Sequence, residues 1–102
     1  LSGTTILSAI ESVSAFCRSD AFAVTTGQTI KVITFLTLNS GQAPSVVLDE
    51  AGVGDKSNTV ALVAGLNVAT LTATATTNVE LKILNSAATN FSTSPIYVFV
   101  PS

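Results

Sequence analysis

The chain predicts an all-β fold, an antiparallel β-sandwich of about seven or eight short strands, on three observations. Residues 67–85 alternate side-chain character: Leu71, Ala73 and Ala75 against Thr70, Thr72, Thr74 and Thr76, then Val79, Leu81 and Ile83 against Glu80 and Lys82. That period of two is what a half-buried strand requires. Clusters of Gly, Pro, Asn and Asp recur about every 8 to 12 residues, and the rest of the chain is rich in β-branched residues without a dependable helical signal.

The elements follow in order. Over Leu1 to Phe16, Ile6, Ile10 and Val13 sit at helical spacing, yet serines at 2, 8, 12 and 14 weaken a helix. Residues 1–19 are therefore expected as an extended N-terminal arm or first strand, with a short helix as the alternative. A single sandwich domain then occupies residues 20–102. A strand at Ala21 to Val24 leads to a turn at Thr25 to Gln28, where Gly27 can take the positive φ that a tight turn requires. The long strand Thr29 to Leu38 carries Ile30, Val32, Leu36 and Leu38 on one face, with Ile33 and Phe35 on the other. Apolar residues on both faces predict a central strand covered on both sides.

Asn39 to Pro44 gathers turn formers and ends that strand. Ser45 to Leu48 begins the next, and the acidic, glycine-containing Asp49 to Asn58 is expected as the most mobile loop. Val60 to Val63 is another short strand, closed by Ala64 and Gly65. Ser86 to Ser94 reads as a polar loop, and Ile96 to Val100 as a closing strand bounded by Pro95 and Pro101. A jelly roll or a related sandwich fits this spacing best. The lack of helical crossovers excludes a doubly wound α/β fold.

Composition narrows the function. With 102 residues, the chain is long enough for one core that buries roughly 60–70% of its unfolded surface. Charged residues are only 10% of the chain, apolar residues 47%, and Ser plus Thr number 27, so the surface is built of hydroxyl, amide and small apolar groups. Little like-charge repulsion is left to keep free copies apart, which suits a subunit held in an assembly. The net charge is −2, and Arg18, Lys31, Lys56 and Lys82 form no basic stripe, so nucleic-acid binding is not expected. No apolar run reaches the ~18 residues of a membrane helix, so no membrane insertion is expected either. Methionine is absent even at position 1, compatible with a processed or partial chain.

The chemistry of enzymes is hard to assemble here. Without histidine the commonest general base and metal ligand is missing, and the single cysteine, Cys17, has no imidazole to activate it. Cys17 reads as a small buried apolar residue. No catalytic residue, cofactor or metal site is assigned. Asp49, Glu50, Asp55 and Asn58 offer oxygen ligands to a hard cation, but their spacing is not that of an EF-hand and a solvated loop is the simpler reading. Phe16, Phe22, Phe35 and Phe99 are expected in the core, with Phe91 and Tyr97 in contexts that expose a ring. The threonine row from Thr70 to Thr76 reads as a polar outer face.

Taken together, AFAVTTGQTIKVITFLTLNSGQAPSVVL and NTVALVAGLNVATLTATATTNVELKILNSAATNFSTSPIYVFV resemble the compact jelly-roll modules of phage virion proteins, which are related to carbohydrate-binding modules. The likeness rests on the turn at Thr25 to Thr29 and on Leu71 to Asn85. The acidic residue that often follows the closing strand in sugar-binding relatives is missing here, as are the tryptophans of a sugar platform. The resemblance thus implies a non-enzymatic structural virion protein at the particle surface, a capsid decoration (cement) or fibre subunit. Its implied partners are a major capsid or other virion protein and further copies of itself, a trimer among the candidates. Ile6, Leu7, Ile10 and Val13 would form a candidate docking arm, buried only when a partner supplies the burial. A glycan-binding module for host attachment and an extracellular filament subunit assembled by strand donation are the alternatives.

Overall fold

The computed structural model describes residues 2–7, 16–84 and 90–100. Within them every regular element is a strand and every pairing is antiparallel. In chain order the strands are β1 (Ser2–Leu7), β2 (Phe16–Arg18), β3 (Phe22–Val24), β4 (Thr29–Ser40), β5 (Ser45–Glu50), β6 (Gly54–Asp55), β7 (Val60–Ala61), β8 (Gly65–Thr72), β9 (Thr77–Leu84), β10 (Asn90–Thr93) and β11 (Ile96–Val100). They form two sheets packed as a β-sandwich. In sheet A, β4 is flanked by β8 on one side and by β10 and β11 on the other, with β1 outside β11. In sheet B, β9 pairs with β5 on one side and with β2 and β3 on the other, while β6 and β7 extend β5.

Alternation fills the space between the sheets. Ile30, Val32 and Leu36 of β4, Ala69 and Leu71 of β8, Phe91 of β10, and Ile96 and Val98 of β11 point in from sheet A. Val46 and Leu48 of β5 with Val79, Leu81 and Ile83 of β9 meet them from sheet B. Each of the larger side chains contributes about 1.5–3 kcal/mol by leaving water.

The eleven strands reduce toward the expected number because two pairs are single strands interrupted by a bulge. β2 pairs Arg18 with Lys82 and β3 pairs Phe22 with Val79, so Ser19, Asp20 and Ala21 stand opposite only Glu80 and Leu81. In sheet A, Thr93 pairs with Leu36 and Tyr97 with Ile33, so Ser94, Pro95 and Ile96 stand opposite only Thr34 and Phe35. The same serine device closes both gaps. Ser19 N–H donates to the Leu81 carbonyl at 2.9 Å, and Ser19 Oγ accepts from Leu81 N–H at 2.9 Å. Ser94 N–H donates to the Phe35 carbonyl at 2.9 Å, and Ser94 Oγ accepts from Phe35 N–H at 3.0 Å. Each hydroxyl then donates to the carbonyl of the next residue, Asp20 or Pro95. A hydroxyl replaces the carbonyl that the extra residue has moved out of the ladder.

The alternating stretch 67–85 is two consecutive strands, β8 in sheet A and β9 in sheet B, so residues 73–76 cross between the sheets. The turn at Gly27 (φ 87°) anchors that crossing: Gly27 N–H donates to the Ala73 carbonyl, and Thr26 N–H to Thr76 Oγ1. Residues 49–58 are not an open loop. Gly52 (φ 79°) turns β5 into β6, closed by Val53 N–H to the Glu50 carbonyl at 2.9 Å, and Lys56 N–H continues to the Leu48 carbonyl at 2.7 Å. Part of the expected loop over 86–94 is instead the strand β10, whose Phe91 reaches the core.

Candidate interaction surface

The two outer faces of the sandwich differ in kind. On sheet A the register sets Ile33 of β4 opposite Val68 of β8, Phe35 opposite Leu66, and Lys31 opposite Thr70. On the other side of β4, Tyr97 lies opposite Ile33 and Phe99 opposite Lys31. Both backbone groups of Phe35 go to Ser94, away from β8. Phe35–Leu66 and Ile33–Val68 are therefore non-hydrogen-bonded pairs, the kind whose Cα atoms approach to about 4.5 Å and whose side chains pack most closely. Leu66 is 66% exposed, Val68 56%, Phe35 53% and Tyr97 41%. Together with Ile33 they make a contiguous apolar patch on the order of 500 Å², as large as the biggest found on ordinary monomers. Lys31 borders it, its Nζ donating to Thr70 Oγ1 at 2.6 Å.

Sheet B carries charge in the corresponding place. Arg18 Nη1 lies 3.3 Å from Asp49 Oδ1 and 3.1 Å from Glu80 Oε1, while Lys82 Nζ lies 3.5 Å from Asp49 Oδ2. The register explains the cluster, since Arg18 pairs with Lys82 and Glu80 with Asp49 on adjacent strands. Burial pushes the Asp49 carboxyl up, but the Arg18 hydrogen bond and the charges of Arg18 and Lys82 outweigh it and hold Asp49 below the usual aspartate range. These charges are mostly withdrawn from water, Asp49 almost fully, and each is stabilised by its ion-pair partner.

The expectation that β4 is covered on both sides is corrected here. β4 is central, but Phe35 is exposed because no layer lies over the outside of sheet A among the described residues. Phe91, expected exposed, is buried, and Tyr97 is exposed. Leu66 and Val68 escaped the sequence reading because β8 inverts its own pattern. Asn67 faces inward, where its Oδ1 accepts from Val63 N–H at 2.8 Å and its Nδ2 donates to the Val63 carbonyl at 2.8 Å and the Gly65 carbonyl at 3.0 Å. A satisfied amide is tolerated inside, and the two larger apolar neighbours are turned out. A polar residue flanked by Leu66 and Val68, ahead of Ala69 and Leu71, was the readable signal.

The other candidates resolve as follows. Ile6 and Leu7 lie in β1, whose backbone pairs with β11 from Ser2–Val100 to Leu7–Ile96 with a register shift between Thr5 and Leu7. Ile10 and Val13 lie outside the described residues. Of the four oxygen donors considered for a cation, Asp49 and Asp55 are cross-strand partners on β5 and β6, but the set is not free to converge on an ion. Asp49 is held by Arg18 and Lys82, and Asn58 spans the Thr70 carbonyl and Thr72 N–H. No group of three or more carboxylate or thiol ligands converges among the described residues. Cys17 is partly buried against the core, and burial pushes its thiol up, away from the reactive thiolate. The threonines 70, 72, 74 and 76 are exposed.

No family model, curated protein or solved structure matches the chain.

Proposed function

We propose that this chain is a non-enzymatic structural subunit that works by protein–protein contact, a capsid decoration (cement) or fibre protein of a virus particle with a jelly-roll-like sandwich. The observation that carries the reading is the difference between the two outer faces. One is charged and internally ion-paired, and the other presents Phe35, Leu66, Val68 and Tyr97 to solvent. Such a molecule seats its apolar face on a neighbour and leaves its charged face outward. The low charge of the chain and its resemblance to phage virion modules favour a virion surface as the setting. Because β1 fills an edge of its own sheet, the face rather than an N-terminal arm is the contact assigned to the partner.

The test is co-sedimentation with shells assembled from the major capsid protein encoded beside this chain's gene. The wild-type chain is expected to pellet with the shells, and Leu66→Lys/Val68→Lys to lose at least about tenfold in bound fraction while keeping its strand spectrum. A wild-type chain that stays in the supernatant would overturn the virion reading. A glycan-binding role is favoured only by the two exposed rings, Phe35 and Tyr97, and would show as binding on a glycan array abolished by Tyr97→Ala.

A further inference from the structure

The outer edge of β8 has a hydrogen-bond inventory of its own. In a strand, alternate residues aim their N–H and C=O to the same side. The Thr70 carbonyl and Thr72 N–H both bond to the Asn58 side chain, at 3.2 and 2.9 Å, so the even-numbered residues of β8 face away from β4. The same side chain therefore closes the edge at its C-terminal end, and Lys56 continues the closure by accepting from Thr74 N–H at 2.9 Å. At the other end Gly65, with φ at 102°, turns the chain away. Between those stops stand Leu66 and Val68. Their N–H and C=O groups point outward and have no hydrogen-bond partner among the described residues. Most native edges are blunted by charge, proline or a bulge, and this window has none of the three.

We infer that this window pairs with the same window of a second copy, β8 against β8, about a two-fold axis through Asn67. Antiparallel pairing sets Leu66 against Val68 of the second copy and Val68 against its Leu66. Each such pair exchanges two N–H···O bonds, so four bonds satisfy the eight free groups of the two windows. The register is singular. Centring the axis on Val68 would set Leu66 against Thr70, whose carbonyl Asn58 already holds, and centring it on Leu66 would set Val68 against Ala64, beyond the Gly65 turn. Charge permits the contact, since no ionisable side chain lies between Gly65 and Thr72. The pairing joins two A sheets into one and makes their apolar patches continuous. Edge contact buries on the order of 400 Å² per copy, about half of a standard interface, so the pair forms when copies are concentrated or held side by side. The choice of a second copy as occupant rests on reading the chain as an assembly subunit, whereas the edge geometry stands without that reading.

The register is testable by disulfide trapping on a Cys17→Ala background. Leu66→Cys and Val68→Cys chains, mixed at high concentration and oxidised, are expected to cross-link to each other at least about fivefold faster than either variant alone. In the proposed pairing, positions 66 and 68 are directly opposite, and like positions are diagonal neighbours too far apart for an unstrained bridge. Mixed cross-linking no faster than self-cross-linking, or absent, overturns the proposal. Adding Asn67→Pro would disturb the β4 ladder, so the control is Val68→Pro in the Leu66→Cys chain, which removes only an outward N–H and is expected to lower yield with the Val68→Cys partner. A yield unchanged by that control also overturns it. Cross-linking in chains that fail to bind shells would leave this inference standing and remove the virion reading, and the converse would do the opposite.

Discussion

The two halves of the sandwich contain the same serine bulge in different surroundings. In sheet B, Ser19 is 5% exposed and its cross-strand partner Leu81 points into the core. In sheet A, Ser94 sits opposite Phe35, which points out. The hydrogen bonds are the same, and the side chains they position are not. Around the first bulge the outer face closes with Arg18, Glu80, Asp49 and Lys82, and around the second it opens onto apolar residues. One local motif thus serves an ion-paired wall and an exposed apolar wall, and the difference lies in what the adjacent strands place beside it.

That contrast can be broken in a graded way by urea denaturation of single variants. Leu81→Ala, at a fully buried position, is expected to cost about 2–5 kcal/mol, whereas Leu66→Ala on the open face should stay within about 0.5 kcal/mol. A large cost at Leu66 would mean that the A face is structural rather than presented. Next come the serines. Ser19→Ala leaves a buried Leu81 N–H without its acceptor and should cost about 1–3 kcal/mol, and Ser94→Ala, where water can replace the hydroxyl at Phe35 N–H, about 1 kcal/mol or less. Equal costs would show that the bulge itself, not its burial, sets the energy.

Asp49→Asn is expected to cost about 1–2 kcal/mol at neutral pH, since it uncouples Arg18 and Lys82 at once. Its pH dependence has a definite sign. The folded carboxyl titrates below the ordinary aspartate value of about 3.9, so in that window the unfolded chain binds more protons and stability rises with pH. The contribution is full above about pH 4 and disappears as pH falls through the depressed value. Thermal melts between about pH 5 and about pH 2 should therefore show wild type losing its advantage over Asp49→Asn at the acid end.

Much of the fold was legible in the chain. Alternation placed β4, β8 and β9, and Gly27 marked its turn, because side-chain period and positive φ are local properties. The bulges were not legible. A Ser followed by Asp or Pro has many uses, and only the opposing strand, about sixty residues away in sequence, decides that its hydroxyl joins a ladder. The exposed apolar face was half legible. Ile33 and Phe35 announced an apolar second face on β4, but whether a layer covers it depends on the count of layers. The inward Asn67 reversed the reading of Leu66 and Val68, since an amide satisfied by Val63 and Gly65 looks, in sequence, like a residue for solvent.

The crossing at residues 73–76 has a kinetic consequence. Because the chain's most regular stretch feeds two different sheets, β8 cannot nucleate against its neighbour β9. It must wait for β4, with Thr29 meeting Thr72 and Leu36 meeting Gly65 across everything between. Folding then begins with costly loop closures, on the order of milliseconds to seconds as for other sandwiches of non-local contacts. During that interval a nascent chain exposes the Leu66–Val68 edge before its own sheet exists, so for the proposed pairing the order of events, folding first and assembly second, falls to the rate at which β4 arrives.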